Sequence, residues 1–186
     1  VYKRQDLLDQ DKCTVDEVVE AMSYVESFLV RRMIAGISTN NLNRIFSSFV
    51  PQLRVDLPIA EAIRHGLSGE RKYWPSDARL REAIRTRAFY FQGRQEQKMV
   101  VFQRLEESYE HAEPIDWAKA SLSIEHVMPQ SLTDEWREAL ATAGDDPTVV
   151  HEELLHTLGN LTITAYNGEL SNLSLIHISE PTRLRR

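Results

Sequence analysis

An acid and a histidine stand side by side near the middle of the chain, in the stretch SIEHVMPQ at residues 123–130. The imidazole of His126 suits proton abstraction from water, because an unperturbed histidine is largely neutral at pH 7. The carboxylate of Glu125 suits Mg²⁺, which prefers oxygen ligands. Hydrolysis of a phosphodiester needs both an activated water and a cation that offsets the phosphate charge. The pair therefore has the chemical types of a phosphodiester-cleaving centre.

A third group must hold the imidazole in one tautomer and orientation, and a downstream asparagine could do so. The pair alone is weak evidence, because a histidine at a strand end often only packs or faces solvent. Adjacent residues of a regular strand also point to opposite faces. For Glu125 and His126 to meet one phosphate, the strand must twist, bulge or end there, and Pro129 makes this plausible.

The spacing of apolar residues along the chain indicates which elements position these residues, and it changes from helical to strand-like. Up to about residue 110 the apolar residues recur at helical intervals, beginning at Thr14 and Glu17, which have capping-box spacing. Gly36 and Gly66 are predicted to end helices. The stretch SLSIEHV alternates apolar and polar residues and predicts a half-exposed strand, and LTIT at residues 161–164 predicts a second one. The segment between the two strands reads as helical.

Composition excludes several classes of protein. The chain has 186 residues with 42% hydrophobic and 27% charged residues, as expected for a soluble globular protein. Its single cysteine excludes a disulfide framework and a multi-cysteine zinc site, and fits a cytoplasmic protein. No apolar run is long enough to span a membrane. Neither a phosphate-binding GxxxxGK[ST] loop nor the zinc-peptidase pattern HExxH is present.

The net charge of −6 argues against an affinity for nucleic acid along the whole chain. The segment from Arg64 to Arg104 nevertheless carries ten Lys and Arg against four Asp and Glu, so a local basic face could exist. Arg81 and Arg85 lie four residues apart in a predicted helix and are candidates for phosphate contacts with DNA. The alternative is that both are ordinary solvated arginines.

The combination of IEHVMPQ, then Trp136, then LGNLTITAYNGELSN resembles the C-terminal HNH nuclease domain of the GmrSD-type restriction endonucleases. The upstream stretch SYVESFLVRRMIAGISTNNLNRIF is similar to the helical segment that joins this domain to an N-terminal ParB-like domain. The resemblance covers about residues 16–172. It implies an α+β fold, mainly helical, with a small ββα-metal core in the C-terminal half.

The resemblance also implies roles for individual residues. His126 takes the position of the general base, and Glu125 that of a metal ligand. Asn160 matches the central asparagine, whose side-chain oxygen is expected to accept a hydrogen bond from the imidazole. Asn167 occupies the third motif position and is expected to face the metal. The implied cofactor is a divalent cation, Mg²⁺ or Mn²⁺, and the implied substrate is DNA, including modified phage DNA.

We therefore predict a helical connecting region at residues 1–70, an HNH nuclease domain at 71–173 and a non-native tail at 174–186. The ParB-like domain is expected as a partner that this sequence lacks. The other histidines are interpreted as non-catalytic: His151 and His156 lie five apart, which does not align them as ligands on one helix face, although His156 is close to Asn160. The rival interpretation is a catalytically inactive helical interaction module of a defence protein.

Overall fold

The computed structural model describes residues 13–54, 56–69, 72–109, 115–141 and 146–164. Within these ranges the fold is mainly helical with one small antiparallel sheet, which confirms the α+β prediction. The helices are α1 (Val15–Ile34), α2 (Leu42–Phe49), α3 (Ile59–Leu67), α4 (Asp77–Thr86), α5 (Gln95–Glu107), α6 (Asp134–Ala141) and α7 (Pro147–Leu154). The strands are β1 (Ser123–His126) and β2 (Leu161–Thr164), and short 3₁₀ turns occur at Val50–Gln52, Phe89–Phe91 and Leu158–Asn160.

The chain divides into two compact units, residues 1–81 and 82–186. The predicted division at residue 70 and the predicted tail at 174–186 stay predictions, and the tail lies outside the described residues. None of the helices in the described ranges combines the length and the apolar character that crossing a lipid bilayer requires.

The first unit begins with the predicted capping box. The Glu17 N–H donates to Thr14 Oγ1 at 3.2 Å, and the Thr14 N–H donates to Glu17 Oε2 at 2.7 Å. These two bonds satisfy backbone donors that the first turn of α1 leaves unpaired. At the other end, α1 stops at Ile34, and Gly36 follows with a positive φ of 66°, as predicted for a helix stop.

The prediction that Gly66 ends a helix is wrong, because α3 continues to Leu67. The reason for a glycine here is space rather than backbone conformation. A Cβ built on Gly66 would overlap the side chain of Phe49, which is only 3% exposed in the core of the first unit. The ring of Phe49 thus lies directly on the backbone of α3.

Gly66→Ala is therefore expected to destabilise the protein by about 1–3 kcal/mol, the usual cost of overfilling a packed core. The higher helix propensity of alanine offsets at most about 1 kcal/mol of this cost. Gly69→Ala is the matched control, because the atom nearest to its Cβ is Lys72 Cδ at 4.0 Å, an ordinary contact. Urea unfolding of both variants checks the difference, and equal stability of the two variants would contradict the packing argument.

The second unit contains the hairpin that positions the sequence motifs. Its four pairs are consecutive: Ser123 with Thr164, Ile124 with Ile163, Glu125 with Thr162 and His126 with Leu161. The connection between the strands contains α6 and α7, which confirms the predicted helical insertion. The apolar side chains buried in this unit come from both sides of the insertion: Ala83, Phe89, Val101, Phe102, Ile124, Met128, Leu158 and Leu161.

Candidate active site

His126 is the last paired residue of β1, and its side chain is half-buried among aromatic rings. The ring centroid of Tyr90 lies 4.6 Å from that of His126, with 49° between the planes. The ring of His156 lies 5.1 Å away in an edge-on arrangement. His126 Nε2 is 3.1 Å from His156 Nδ1, which is hydrogen-bond distance, and the tautomers decide which nitrogen donates. The candidate general base is therefore one member of a histidine pair.

His156 is itself held from several directions. The Tyr90 N–H donates to the His156 carbonyl oxygen at 3.1 Å. The rings of Tyr90 and His156 stack at 5.7 Å with 27° between them, and the Phe91 ring lies 4.5 Å from His156. Lys98, only 8% exposed, donates from Nζ to the Tyr90 carbonyl oxygen at 2.6 Å. Helix α5 thus fixes the Phe89–Phe91 turn, and the turn fixes His156.

Burial and the neighbouring imidazole favour the neutral form of both rings. Desolvation lowers the pKa of His126 below its ordinary value, the charge of His156 lowers it further, and Glu125 opposes the shift. Desolvation also lowers the pKa of His156, with a smaller contribution from His151. Both shifts favour the neutral imidazole, which is the state that a proton acceptor requires.

The lowered pKa of His156 links stability to pH. The unfolded chain takes up a proton at the ordinary histidine pKa of about 6.5, whereas the folded chain resists protonation. This contribution to stability is complete above about pH 6.5 and is lost as the pH falls through the lowered folded value. Urea unfolding from about pH 7 to 5 should show a shallower decline in His156→Asn than in the wild type.

His65→Asn removes an exposed histidine of α3 and should keep the wild-type decline. An identical pH dependence in His156→Asn and the wild type would contradict the assignment of the decline to His156.

Asn160 joins the two sequence motifs through backbone groups. Its Oδ1 accepts from the Met128 N–H at 2.7 Å, and its Nδ2 donates to the carbonyl oxygens of Met128 at 3.2 Å and Leu155 at 2.8 Å. Its own carbonyl oxygen accepts from the Val127 N–H at 2.9 Å. The side chain is buried, and its amide bonds to backbone groups of Met128 and Leu155. The hydrogen bond to the ring of His126 that the resemblance predicts is not formed. In the structure that ring bonds to His156 instead.

Glu125 and His126 lie on opposite faces of the hairpin. The strand ends at His126, as expected, but its consecutive pairs leave it without a bulge. Ser123 Oγ donates to Glu125 Oε1 at 3.1 Å, so these two residues share one face, while His126 shares the other with the buried Ile124. The structure does not bring the carboxylate and the imidazole together on one face.

The remaining predicted site residues are Asn167, Arg81 and Arg85. Asn167 lies outside the described residues. Arg81 and Arg85 are both exposed, one turn apart on α4, and their role in DNA binding stays a prediction. In the part of the chain that the structure describes, no group of three or more His, Cys, Asp or Glu side chains is placed to hold a metal ion.

Sequence reasoning missed four residues of this site: Tyr90, Phe91, Lys98 and His156. A single local signal existed for His156, which is close in sequence to Asn160. For Tyr90 and Phe91 the signal was the aromatic run FYF at residues 89–91, which carries no information about its partner. Only the fold brings residue 90 next to residues 126 and 156.

The two motifs that resemble a restriction nuclease lie on and next to the paired strands β1 and β2. Residues 74–177 match the family model described as "GmrSD restriction endonucleases, C-terminal domain". This match covers more than half of the chain, so the chain belongs to that family, whose nuclease activity implies DNA as the substrate. Comparison with curated proteins and with solved structures gives no match.

Proposed function

We propose that this chain is a metal-dependent HNH endonuclease domain in which His126 takes a proton from the water that attacks the scissile phosphate. The observation that supports this proposal is the position of the ring. It lies at the end of the strand that carries the IEHVMPQ motif, next to the LGNLT motif, and partial burial lowers its pKa. A neutral imidazole at a rigid strand end is ready to act as a general base.

The side chains around His126 have separate tasks in this proposal. Tyr90 and His156 limit the movement of the ring and remove part of its hydration. Asn160 fixes the backbone after β1 through Met128 and the backbone after α7 through Leu155. The general base therefore keeps its position while the substrate binds, which is what a proximity effect requires.

A divalent cation, Mg²⁺ or Mn²⁺, would compensate the charge that develops on the phosphate and the leaving oxygen. We propose that Glu125 and Asn167 hold it, because carboxylate and amide oxygens are the ligand types that such ions prefer. The donor types fit a magnesium-like ion, which needs only one or two carboxylates beside water and phosphate oxygens. Of these two ligands, the described residues include Glu125 alone, on the face opposite to His126.

We further propose that the substrate is foreign DNA, including modified phage DNA, and that an N-terminal ParB-like domain is the partner. Arg81 and Arg85 present two exposed cations one helical turn apart, a suitable spacing for contacts with a phosphate backbone. Cys13 is a free cysteine, which fits action in a reducing cytoplasm.

DNA cleavage by the purified protein should stop when a chelator removes divalent cations and should resume when Mg²⁺ or Mn²⁺ is added. Calorimetric titration with Mn²⁺ should show saturable binding that Glu125→Ala weakens at least about tenfold, since it removes a charged ligand. Glu152→Ala, on the exposed side of α7, is the matched control.

The two measurements separate the competing interpretations. Cleavage that persists in the chelator would contradict metal dependence. Full Mn²⁺ affinity in Glu125→Ala would remove Glu125 from the ligand set and leave the role of His126 untouched. A protein that neither binds Mn²⁺ nor cuts DNA would support the rival, an inactive interaction module.

A further inference from the structure

The ring of His126 needs a partner that fixes its tautomer, and Asn160 is engaged elsewhere. The amide oxygen of Asn160 accepts from Met128, and its nitrogen donates to two backbone carbonyl groups. The sequence resemblance places the orienting hydrogen bond at this amide. The observed contact of the ring is instead His126 Nε2 with His156 Nδ1 at 3.1 Å.

We propose that His156 is the positioning residue of this site: its Nδ1 accepts the hydrogen of His126 Nε2 and thereby leaves His126 Nδ1 as the basic nitrogen. This inference rests on the proposed function of His126 as general base. A neutral imidazole carries one hydrogen, so a hydrogen fixed at Nε2 leaves the lone pair at Nδ1 free for water. The opposite arrangement, in which His156 donates, would put the hydrogen on Nδ1 and block the base.

The surroundings of His156 suit a positioning role. Its backbone is held by the Tyr90 N–H, and its ring lies between Tyr90 and Phe91. Tyr90 is in turn held by the buried Lys98, whose Nζ donates to the Tyr90 carbonyl oxygen and lies 4.9 Å from the centre of the ring. A rigid acceptor fixes the direction of the hydrogen bond that it receives, and hence the plane of the His126 ring.

Two substitutions separate the hydrogen bond from the packing. His156→Phe keeps an aromatic ring beside Tyr90 and Phe91 but has no acceptor. His156→Asn loses the ring but places an amide oxygen close to the position of Nδ1. If His156 acts only by filling space, Phe is the better replacement. If it acts as a hydrogen-bond acceptor, Asn is the better replacement.

The test is DNA cleavage by the purified protein with Mg²⁺, combined with ¹⁵N NMR of the imidazole rings at a pH where they are neutral. His156→Phe should lower kcat by about ten- to a hundred-fold with an unchanged KM for DNA, and His156→Asn should recover most of the rate. In the wild type, the ¹⁵N shifts should show His126 protonated at Nε2 alone, with a coupling through the hydrogen bond to His156 Nδ1. In His156→Phe both tautomers of His126 should be populated.

Other results would overturn the proposal. Wild-type kcat in His156→Phe, or a wild-type His126 protonated at Nδ1, would show that His156 does not set the tautomer. The NMR experiment on the wild type decides this point even when His156→Phe fails to fold. It also separates the two proposals. Full cleavage by the His126→Ala variant would refute the proposed general base. The tautomer of His126 in the wild type would still show whether His156 fixes that ring.

Discussion

His126→Ala is expected to lower the rate of DNA cleavage by about 10²–10⁴-fold, the contribution that a positioned general base makes to a reaction of this kind. The substitution removes the ring nitrogen that takes the proton of the attacking water in the proposed mechanism. Its structural cost should be small by comparison, because His126 is half-buried at a strand end and its backbone pairing with Leu161 does not involve the side chain. Initial rates on plasmid DNA with saturating Mg²⁺ give the measurement.

His65→Ala is the matched control, since it removes an exposed histidine from α3 in the other unit. This variant should cut DNA at the wild-type rate, and both variants should show similar thermal unfolding. Equal cleavage by His126→Ala and His65→Ala would remove the general base from the proposed function. The family membership of the chain would be unaffected, since it rests on the sequence match over residues 74–177.

Asn160→Ala is expected to destabilise the protein by about 3–5 kcal/mol, because it leaves three backbone groups without their partner. These are the N–H and carbonyl groups of Met128 and the carbonyl group of Leu155. Met128 is only 4% exposed, so water cannot replace the two bonds lost there without opening the structure. Such a loss is a large part of the 5–15 kcal/mol or so that stabilises a typical domain. Urea unfolding gives the measurement.

Asn43→Ala replaces an exposed asparagine of α2 and should change the stability by less than about 0.5 kcal/mol. The pair of variants also tests the role that the family resemblance gives to Asn160. Full stability combined with a loss of cleavage in Asn160→Ala would mean that the amide acts on the reaction itself. Loss of stability is the result that its observed hydrogen bonds predict.

The sequence predicted those features that depend on neighbours along the chain. Thr14 and Glu17 form their capping box because the partners lie three residues apart on one helix turn. The two strands were also predictable, since alternation of apolar and polar residues at 121–127 depends on local geometry alone. The family resemblance then linked the two motifs that the hairpin brings together.

Features that depend on packing across the fold were not predictable. The sequence gives no sign that Gly66 must make room for Phe49, and by sequence alone a glycine at this position predicts a helix stop. The hydrogen bond between His126 and His156 joins two residues thirty positions apart. It forms only because α7 and the turn after it bring residue 156 back next to β1. The spacing of residues along the sequence does not predict this contact.

The separation of β1 and β2 along the chain has a consequence for synthesis on the ribosome. A hairpin with a tight turn pairs almost as soon as its second strand emerges, whereas this one must first close a loop that contains α6 and α7. Because translation proceeds from the N-terminus, His126 leaves the ribosome before His156 and Asn160 do. A nascent chain therefore carries an unoriented imidazole, and the site assembles only after β2 has been made.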